Sequence, residues 1–358
     1  MAMKTTMNGG DGHYSYTRNS LGQRQGLELM KDLINKGIDE KLDVAKFMSS
    51  SSSFSPKMFR VADLGSSVGP NTYFAVQNII NSVKLKYQET DVEFQAFFND
   101  QISNDFNTLF KNLPSDREYF VAAAPGPFHG RLFPKKSIHF VHSSYSLHWL
   151  SSVPKELVDK ESPAYNKGKI FYTSASEQVF EAYTAQFAKD ITSFLNARAH
   201  EVVHGGLMAL LIPCFPDGTP PSQRNMEGVF DLLGDSLTDL ANMGLVSEAK
   251  VDSFNLPLYH TSPQELKGLI EKNGDFSIER MENICRSRTQ VDASFIKSMI
   301  LHLRAAWEGM IREHFGNDIV DELFDRFTKK AINSSIFSES EKYESLSELF
   351  VLLKRNGD

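Results

Sequence analysis

The chain is poor in cysteine: its 358 residues hold only Cys214 and Cys285. Two cysteines make no disulfide framework, and neither stands in a CxxC spacing. A disulfide-stapled fold and a zinc ribbon are thereby excluded, and a reducing compartment fits. Excess positive charge is missing too. The net charge is -7 and the pI about 5.8. No run of Lys or Arg exceeds a few residues, so the basic face that a nucleic-acid partner requires is lacking. No apolar stretch reaches the ~18 residues that span a bilayer. Met1–Gly12 is polar and has no signal-peptide core, which makes the cytosol the expected location. Tryptophan is scarce, two against 27 Phe. That skew suits aromatic pockets and equally a Phe-rich core.

What is present is an ordinary globular balance, 41% apolar and 23% charged, which supports a real core. The length suggests one large domain or a core with an attached lobe. The first twelve residues read as unanchored. Helical spacing of Leu27, Leu29, Met30, Leu33 and Ile34 predicts a helix from about Ser20 to Lys46. Ser49–Ser53, closed by Pro56, reads as a connector. From Met58 short apolar strands alternate with helices. Strands are predicted at Phe59–Leu64, Val92–Phe98, Tyr119–Ala124, Ser137–His142 and Leu207–Ile212. Helices are predicted from Pro70, over Asp105–Asn112 and over Val179–Val203. This alternation implies a parallel sheet with crossover helices. Phe276–Met281 and Phe350–Lys354 read as two later strands. Helical patterns at Met226–Met243, Pro263–Lys272, Ala293–His314 and Ile319–Lys330 do not interleave with strands and are expected to form a lobe over the sheet.

Ligands of an open parallel sheet bind beyond the carboxyl ends of its strands. The first strand ends in Asp63-Leu64-Gly65-Ser66-Ser67-Val68-Gly69-Pro70-Asn71. Its glycines permit a sharp turn and close approach of a ligand. Their spacing is GxxxG rather than GxGxxG, and no GK[ST] follows, so phosphate binding is poorly supported. Tight packing alone explains such a turn equally well. The second strand ends in Asn99-Asp100, where a carboxylate can accept from both hydroxyls of a ribose. The competing reading of Asp100 is an N-cap for the next helix. Together the two strand ends favour an adenosine-bearing cofactor without a pyrophosphate, S-adenosylmethionine.

Longer motifs then become recognisable. They include Met7-Asn8-Gly9-Gly10, Tyr16, Asn19-Ser20 and Gln23-Arg24-Gln25, then Asp63-Leu64-Gly65, Gly69-Pro70-Asn71-Thr72 and Phe98-Asn99-Asp100. Pro125-Gly126, Phe128-His129-Gly130-Arg131-Leu132-Phe133-Pro134, Ser143-Ser144-Tyr145-Ser146-Leu147-His148-Trp149-Leu150, Asn166-Lys167-Gly168-Lys169-Ile170 and Asp252-Ser253-Phe254-Asn255 follow in order. On these motifs, spread over nearly the whole chain, it resembles the plant SABATH family of S-adenosylmethionine-dependent carboxyl methyltransferases, of salicylate, benzoate and loganate type.

The resemblance implies an α/β fold: a Rossmann-like methyltransferase sheet with helices on both faces and a helical cap lobe over the active site. Residues 1–57 are then a lid-forming N-terminal segment. Residues 58–215, with 274–285 and 345–358, form the cofactor core, and residues 216–273 and 286–344 the cap lobe. Tyr16, Ser66, Asn71, Asp100, Gln101, Pro127 and Phe128 match positions around the cofactor. Gln23, Tyr145, His148 and Trp149 match positions around the acceptor, with Val229, Phe230, Tyr259, Leu303 and Ala306 as the rest of its pocket. These last read equally as core. Ser66 stands where the family often has Cys. Pro127 stands where it usually has Ser, which removes a hydroxyl and a backbone N–H. Asn166, Asp252, the Phe254 carbonyl and Asn255 match a magnesium-like site. All present oxygen, yet Asp252 and Asn255 are also good turn residues, and a metal there is read as structural or adventitious. A homodimer is implied as well.

The expected reaction is formation of the methyl ester of a small, largely apolar acid. A carboxylate is ionised at pH 7, so no general base is needed, and orientation carries the catalysis. Gln23 and Trp149 offer neutral N–H donors, with His148 as a third candidate; a core histidine is the competing reading of His148. N-methylation of a purine alkaloid is the runner-up, and it would need polar groups that Phe230 and Leu303 do not offer. A serine hydrolase on Ser143, Ser144 and His148 lacks the G-x-S-x-G elbow. A non-catalytic acid binder sits poorly with intact cofactor positions.

Overall fold

The computed structural model describes residues 6–43, 57–87, 92–284, 292–337 and 346–357. The Ser49–Ser53 connector and Cys285 lie outside them.

After α1 (Leu21–Lys41), the chain alternates β1 (Lys57–Leu64), α2 (Pro70–Tyr87), β2 (Val92–Asp100), α3 (Phe106–Lys111), β3 (Phe120–Pro125) and β4 (Ile138–Ser144). Then follow α4 (Glu177–Glu201), β5 (Val202–Cys214), α5 (Asn225–Asn242), α6 (Glu248–Asp252), α7 (Pro263–Asn273), β6 (Phe276–Ile284), α8 (Ala293–Phe315), α9 (Val320–Asn333) and β7 (Ser347–Arg355). The causes are local. Asp105 caps α3 by accepting from Thr108 N. Pro263 starts α7 behind the Ser262 cap, and Gly274 ends it in the left-handed region. Asp292 caps α8 through Ser294 N and Phe295 N.

The strands form one seven-stranded sheet in the order β3-β2-β1-β4-β5-β7-β6. β1 to β5 pair in parallel, as expected, but β7 runs antiparallel between β5 and β6. The sheet is therefore mixed rather than parallel. β4 and β5 are buried almost throughout, because helices cover both faces. On one face α1 and α2 pack Leu27, Met30, Ile34, Ile79 and Ile80 against Phe98, Phe140, Leu211 and Phe350. On the other, Phe187 and Phe194 of α4, Leu233 of α5, Met310 of α8 and Leu323 of α9 share a core with Leu210, Ile212 and Val351. α5, α8 and α9 pack on one another.

Strand order reverses between β1 and β4, which opens a crevice at the carboxyl ends of both. The same spot is pinned from below. Asp63 lies beside Phe98 and His142 in register, its Oδ1 sits 2.6 Å from His142 Nδ1, and Thr72 of α2 donates to its other oxygen. Nor is the N-terminus unanchored from residue 6 on. Asn8 N donates to Ala305 O of α8 at 2.8 Å, and Gly10 N donates to Asp105 at 3.0 Å.

Candidate active site

The half expected to hold the methyl donor is made of strand ends. Gly65 has φ +83, and a Cβ there would lie 2.0 Å from Ser146 Oγ, so only glycine fits this turn. Gly65 N and Ser66 N both donate to Asn99 O at 2.9 Å. Ser67, itself at φ 52, donates its N–H to Asp100 Oδ2 at 2.7 Å, and Gln101 N donates to Asp100 Oδ1 at 2.7 Å. Each carboxylate oxygen keeps a lone pair for a further donor. The capping role belongs to Asp105, which removes the competing reading of Asp100. Burial raises the Asp100 pKa to about 6 even though the two N–H donors pull it down. Tyr16 lies close enough that burial first, then the charges of Asp100 and Asp63, push its phenol well up.

The third strand end joins through Asn99, whose Nδ2 donates to Ala124 O at 2.6 Å and Gly126 O at 2.9 Å. Gly126 N in turn donates to Asp100 O at 2.9 Å. Phe128 follows, buried and edge-on to Phe194 at 6.2 Å. Pro127 is exposed and keeps its carbonyl in use as acceptor for Gly130 N at 3.1 Å. The Ser66 hydroxyl is buried without a partner among the described residues. Asn71 is otherwise engaged: its Nδ2 donates to Ser20 O and Ser20 Oγ, both at 3.2 Å, tying α2 to the N-terminal segment.

The half expected to hold the acceptor is gathered from distant elements. Gln23 of α1 places Nε2 2.8 Å from His302 Nε2 of α8. His302 Nδ1 lies 2.9 Å from Asn19 O. A carbonyl only accepts, so Nδ1 carries the proton and Nε2 receives one Gln23 N–H. The second Gln23 N–H has no acceptor among the described residues. His148 and Trp149 are half-buried, and the Trp149 indole N–H has no acceptor among the described residues. Burial, then His260 and His302, hold the His148 pKa well below its ordinary value, so the ring is neutral at pH 7. The Tyr145 phenol donates to Glu348 of β7. The Tyr259 hydroxyl is 3.0 Å from Glu265 Oε1 and 3.1 Å from Thr184 Oγ1, leaving its ring as wall. Phe230 meets Trp307 edge-on at 5.0 Å, and Leu303 and Ala306 are buried beside them with Val229.

Sequence reasoning missed His302, although Leu303 and Ala306 on the same helix had marked that face. It also missed His260, whose ring stacks on His148 at 5.7 Å and whose Nδ1 lies 3.1 Å from buried Glu227. The apolar wall thus has a polar seam. Ser143, in contrast, is buried and donates to Leu64 O at 2.9 Å, which leaves it no role as a nucleophile.

The four residues matched to a magnesium site do not fit one. Asp252 accepts from Tyr165 OH at 3.2 Å and Gly168 N at 2.8 Å. Asn166 Nδ2 donates to Asn255 Oδ1 at 2.7 Å and to Phe171 O at 3.2 Å. Phe254 is core, packed on His314 and Phe315. With a single carboxylate, and with Asn255 Oδ1 taken up by Asn166, the set is a clamp between the turn near Gly168 and the end of α6. A hard dication demands oxygens free to coordinate it. Among the described residues no group of three or more His, Cys, Asp or Glu is placed to hold a metal, and no helix is long and apolar enough to cross a membrane.

With this geometry in view, comparisons are informative. The family model described as SAM dependent carboxyl methyltransferase matches residues 2–356. Loganic acid O-methyltransferase of Catharanthus roseus is 44% identical over 98% of this chain and 94% of its own length. Farnesoic acid carboxyl-O-methyltransferase of Arabidopsis thaliana is 37% identical over 99% of this chain and 100% of its own. A solved structure of loganic acid methyltransferase with SAH superposes with a TM-score of 0.91 at 44% identity, covering 98% of this chain and 99% of that one.

Proposed function

This chain belongs to the SAM-dependent carboxyl methyltransferase family and forms methyl esters, and on that premise we propose how its residues divide the work and which acid it takes. S-adenosylmethionine supplies an electrophilic methyl group when bound. Asp100 accepts its ribose hydroxyls, Phe128 packs on its adenine, and Gln101, Ser66, Tyr16 and the Asn71–Ser20 tie close the site around it. The acceptor carboxylate is ionised at pH 7, so the protein has no proton to remove. Its task is to hold one oxygen in line with the methyl carbon and to occupy the other.

The observation that carries this reading is the Gln23–His302 contact at 2.8 Å. His302 Nε2 accepts from one amide N–H and thereby fixes where the second points. The Trp149 indole N–H supplies the other neutral donor, and neutral His148 adds no charge. Neutral donors orient an anion without quenching it as a bidentate Arg would. The pocket body is Phe230, Tyr259, Leu303 and Trp307, with the His260–Glu227 seam at one side. The aromatic walls suit a cyclic acid, the His260–Glu227 seam offers polar groups for hydroxyls on it, and the 44% identity to a loganic acid enzyme makes an acid of that type the first choice. A homodimer and a soluble cytoplasmic setting complete the reading, the former open to sedimentation analysis.

The test has two parts. Trp149→Ala and Gln23→Ala each remove a bond to a charged group, and should lower kcat/KM for the acid by about 10- to 100-fold. S-adenosylhomocysteine affinity by calorimetry should stay within a few-fold. Unchanged turnover in both variants overturns the clamp. A panel of loganic, farnesoic and benzoic acids with labelled methyl donor should rank loganic acid first; farnesoic acid in front overturns the cyclic-acid choice.

A further inference from the structure

The last turn of α4 holds an ion pair that the reaction does not use. Arg198 and Glu201 are both 0% exposed, and Arg198 Nη2 lies 2.8 Å from Glu201 Oε2. Burying two charges costs desolvation, which their attraction roughly cancels, so such a pair is a poor source of net stability. What it does is visible in the other bonds. Arg198 Nη1 donates to Phe128 O at 2.9 Å and Nη2 to Gly130 O at 2.7 Å. Glu201 Oε1 accepts from Leu132 N and from Phe133 N, the latter at 3.0 Å. Four main-chain groups between Phe128 and Phe133 are thus held by two side chains.

Few other bonds join this stretch to the rest of the chain, and one more is internal, from Arg131 Nη2 to Phe133 O at 3.1 Å. It belongs to no helix or strand. Pro127 brings no N–H, and the internal turn bond is Gly130 N to Pro127 O. The guanidinium and carboxylate replace the ladder that a regular element would have supplied. Arg198 also presents its guanidinium 5.3 Å from the Phe194 ring, the ring against which Phe128 stands edge-on.

We propose that Arg198 and Glu201 are positioning residues for cofactor binding: they fix the Phe128–Phe133 backbone so that the Phe128 ring stands ready for the adenine. Neither side chain touches the cofactor; both act through the loop. The proposal rests on the reading of Phe128 as the adenine face.

A double-mutant cycle tests it. S-adenosylhomocysteine is titrated into wild type, Phe128→Ala, Arg198→Lys, Glu201→Gln and the two doubles with Phe128→Ala, and acceptor KM is measured at saturating methyl donor. Arg198→Lys and Glu201→Gln should each weaken S-adenosylhomocysteine about tenfold, with acceptor KM within about threefold. In the doubles, once the Phe128 ring is gone, the loop substitutions should cost little more, since contacting or coupled residues are non-additive. Additive losses, or equal losses for cofactor and acceptor, overturn the proposal and leave a merely structural ion pair. Full affinity in both Arg198→Lys and Glu201→Gln overturns it as well. If Phe128→Ala itself binds S-adenosylhomocysteine as wild type does, the adenine reading falls and the proposal with it. Glu201→Gln keeps the cycle usable should Arg198→Lys not fold.

Discussion

The donor and acceptor halves of the site are built on opposite plans. The donor half is short-range: three adjacent strand ends whose turns and backbone donors lock together through Asn99, Asp100 and Gly126. The acceptor half is long-range: Gln23 meets His302 across 279 residues of sequence, and Trp149 and Phe230 come from different layers again. A site made of strand ends inherits its geometry from the sheet. A site assembled from separate elements depends on how well each is packed, so its specificity can change by side-chain replacement without disturbing the fold.

The sharpest way to break the donor half is Asp100→Asn. An amide offers one oxygen where Ser67 N, Gln101 N and two ribose hydroxyls want acceptors, and its N–H2 faces donors. Losing bonds of the charge-assisted kind should weaken S-adenosylhomocysteine by about 100-fold or more by calorimetry. The same carboxylate predicts a pH dependence. Its pKa in the free protein is raised to about 6, mainly by burial, and the ionised form is the one that accepts hydroxyls. Affinity should therefore be full above pH 6 and fall as pH drops through it, by up to tenfold per unit. In Asp100→Asn that fall should vanish. A wild-type profile flat from pH 7 to 5 would remove Asp100 from the ribose.

A smaller and more selective effect is expected in the acceptor half. His302→Leu leaves the Gln23 amide free to rotate. kcat/KM for the acid should drop about tenfold, the worth of one oriented bond to a charged group, while S-adenosylhomocysteine binds within twofold of wild type. A loss of cofactor affinity instead would mean that His302 serves the N-terminal segment through Asn19, and that the two halves are less separate than their geometry suggests.

The same contrast decides what could be read in advance. Gly65 and Asp100 were legible because their roles are local: a turn that admits no Cβ and a carboxylate at a strand end. Strand positions followed from apolar runs. The antiparallel course of β7 did not, since Phe350–Leu353 would be equally apolar in either direction and pairing is set by tertiary contacts. His302 was hidden because helical spacing marks a face, not the partner that face will meet. Asn166, Asp252 and Asn255 read two ways because the oxygens that ligate a cation also close turns. Arg198 and Glu201 looked like any charges on a long helix; only their complete burial marks them out.

The finest test of the comparison is an effect that should be absent. A histidine near a reacting carboxylate invites a proton-transfer role, and His148, His260 and His302 all stand in the proposed acceptor half. Burial and the two neighbouring imidazoles keep the His148 pKa well below 6.5. The ring is therefore neutral at pH 7, where the acid, with a pKa near 4, is ionised. At saturating methyl donor, which removes the Asp100 contribution, kcat should run flat from about pH 6 to 8.5. A limb near 6.5 that disappears in His148→Gln would mean that a charged His148 takes part. Charge would then enter the acceptor half, and the neutral clamp of Gln23 and Trp149 would no longer account for how the acid is held.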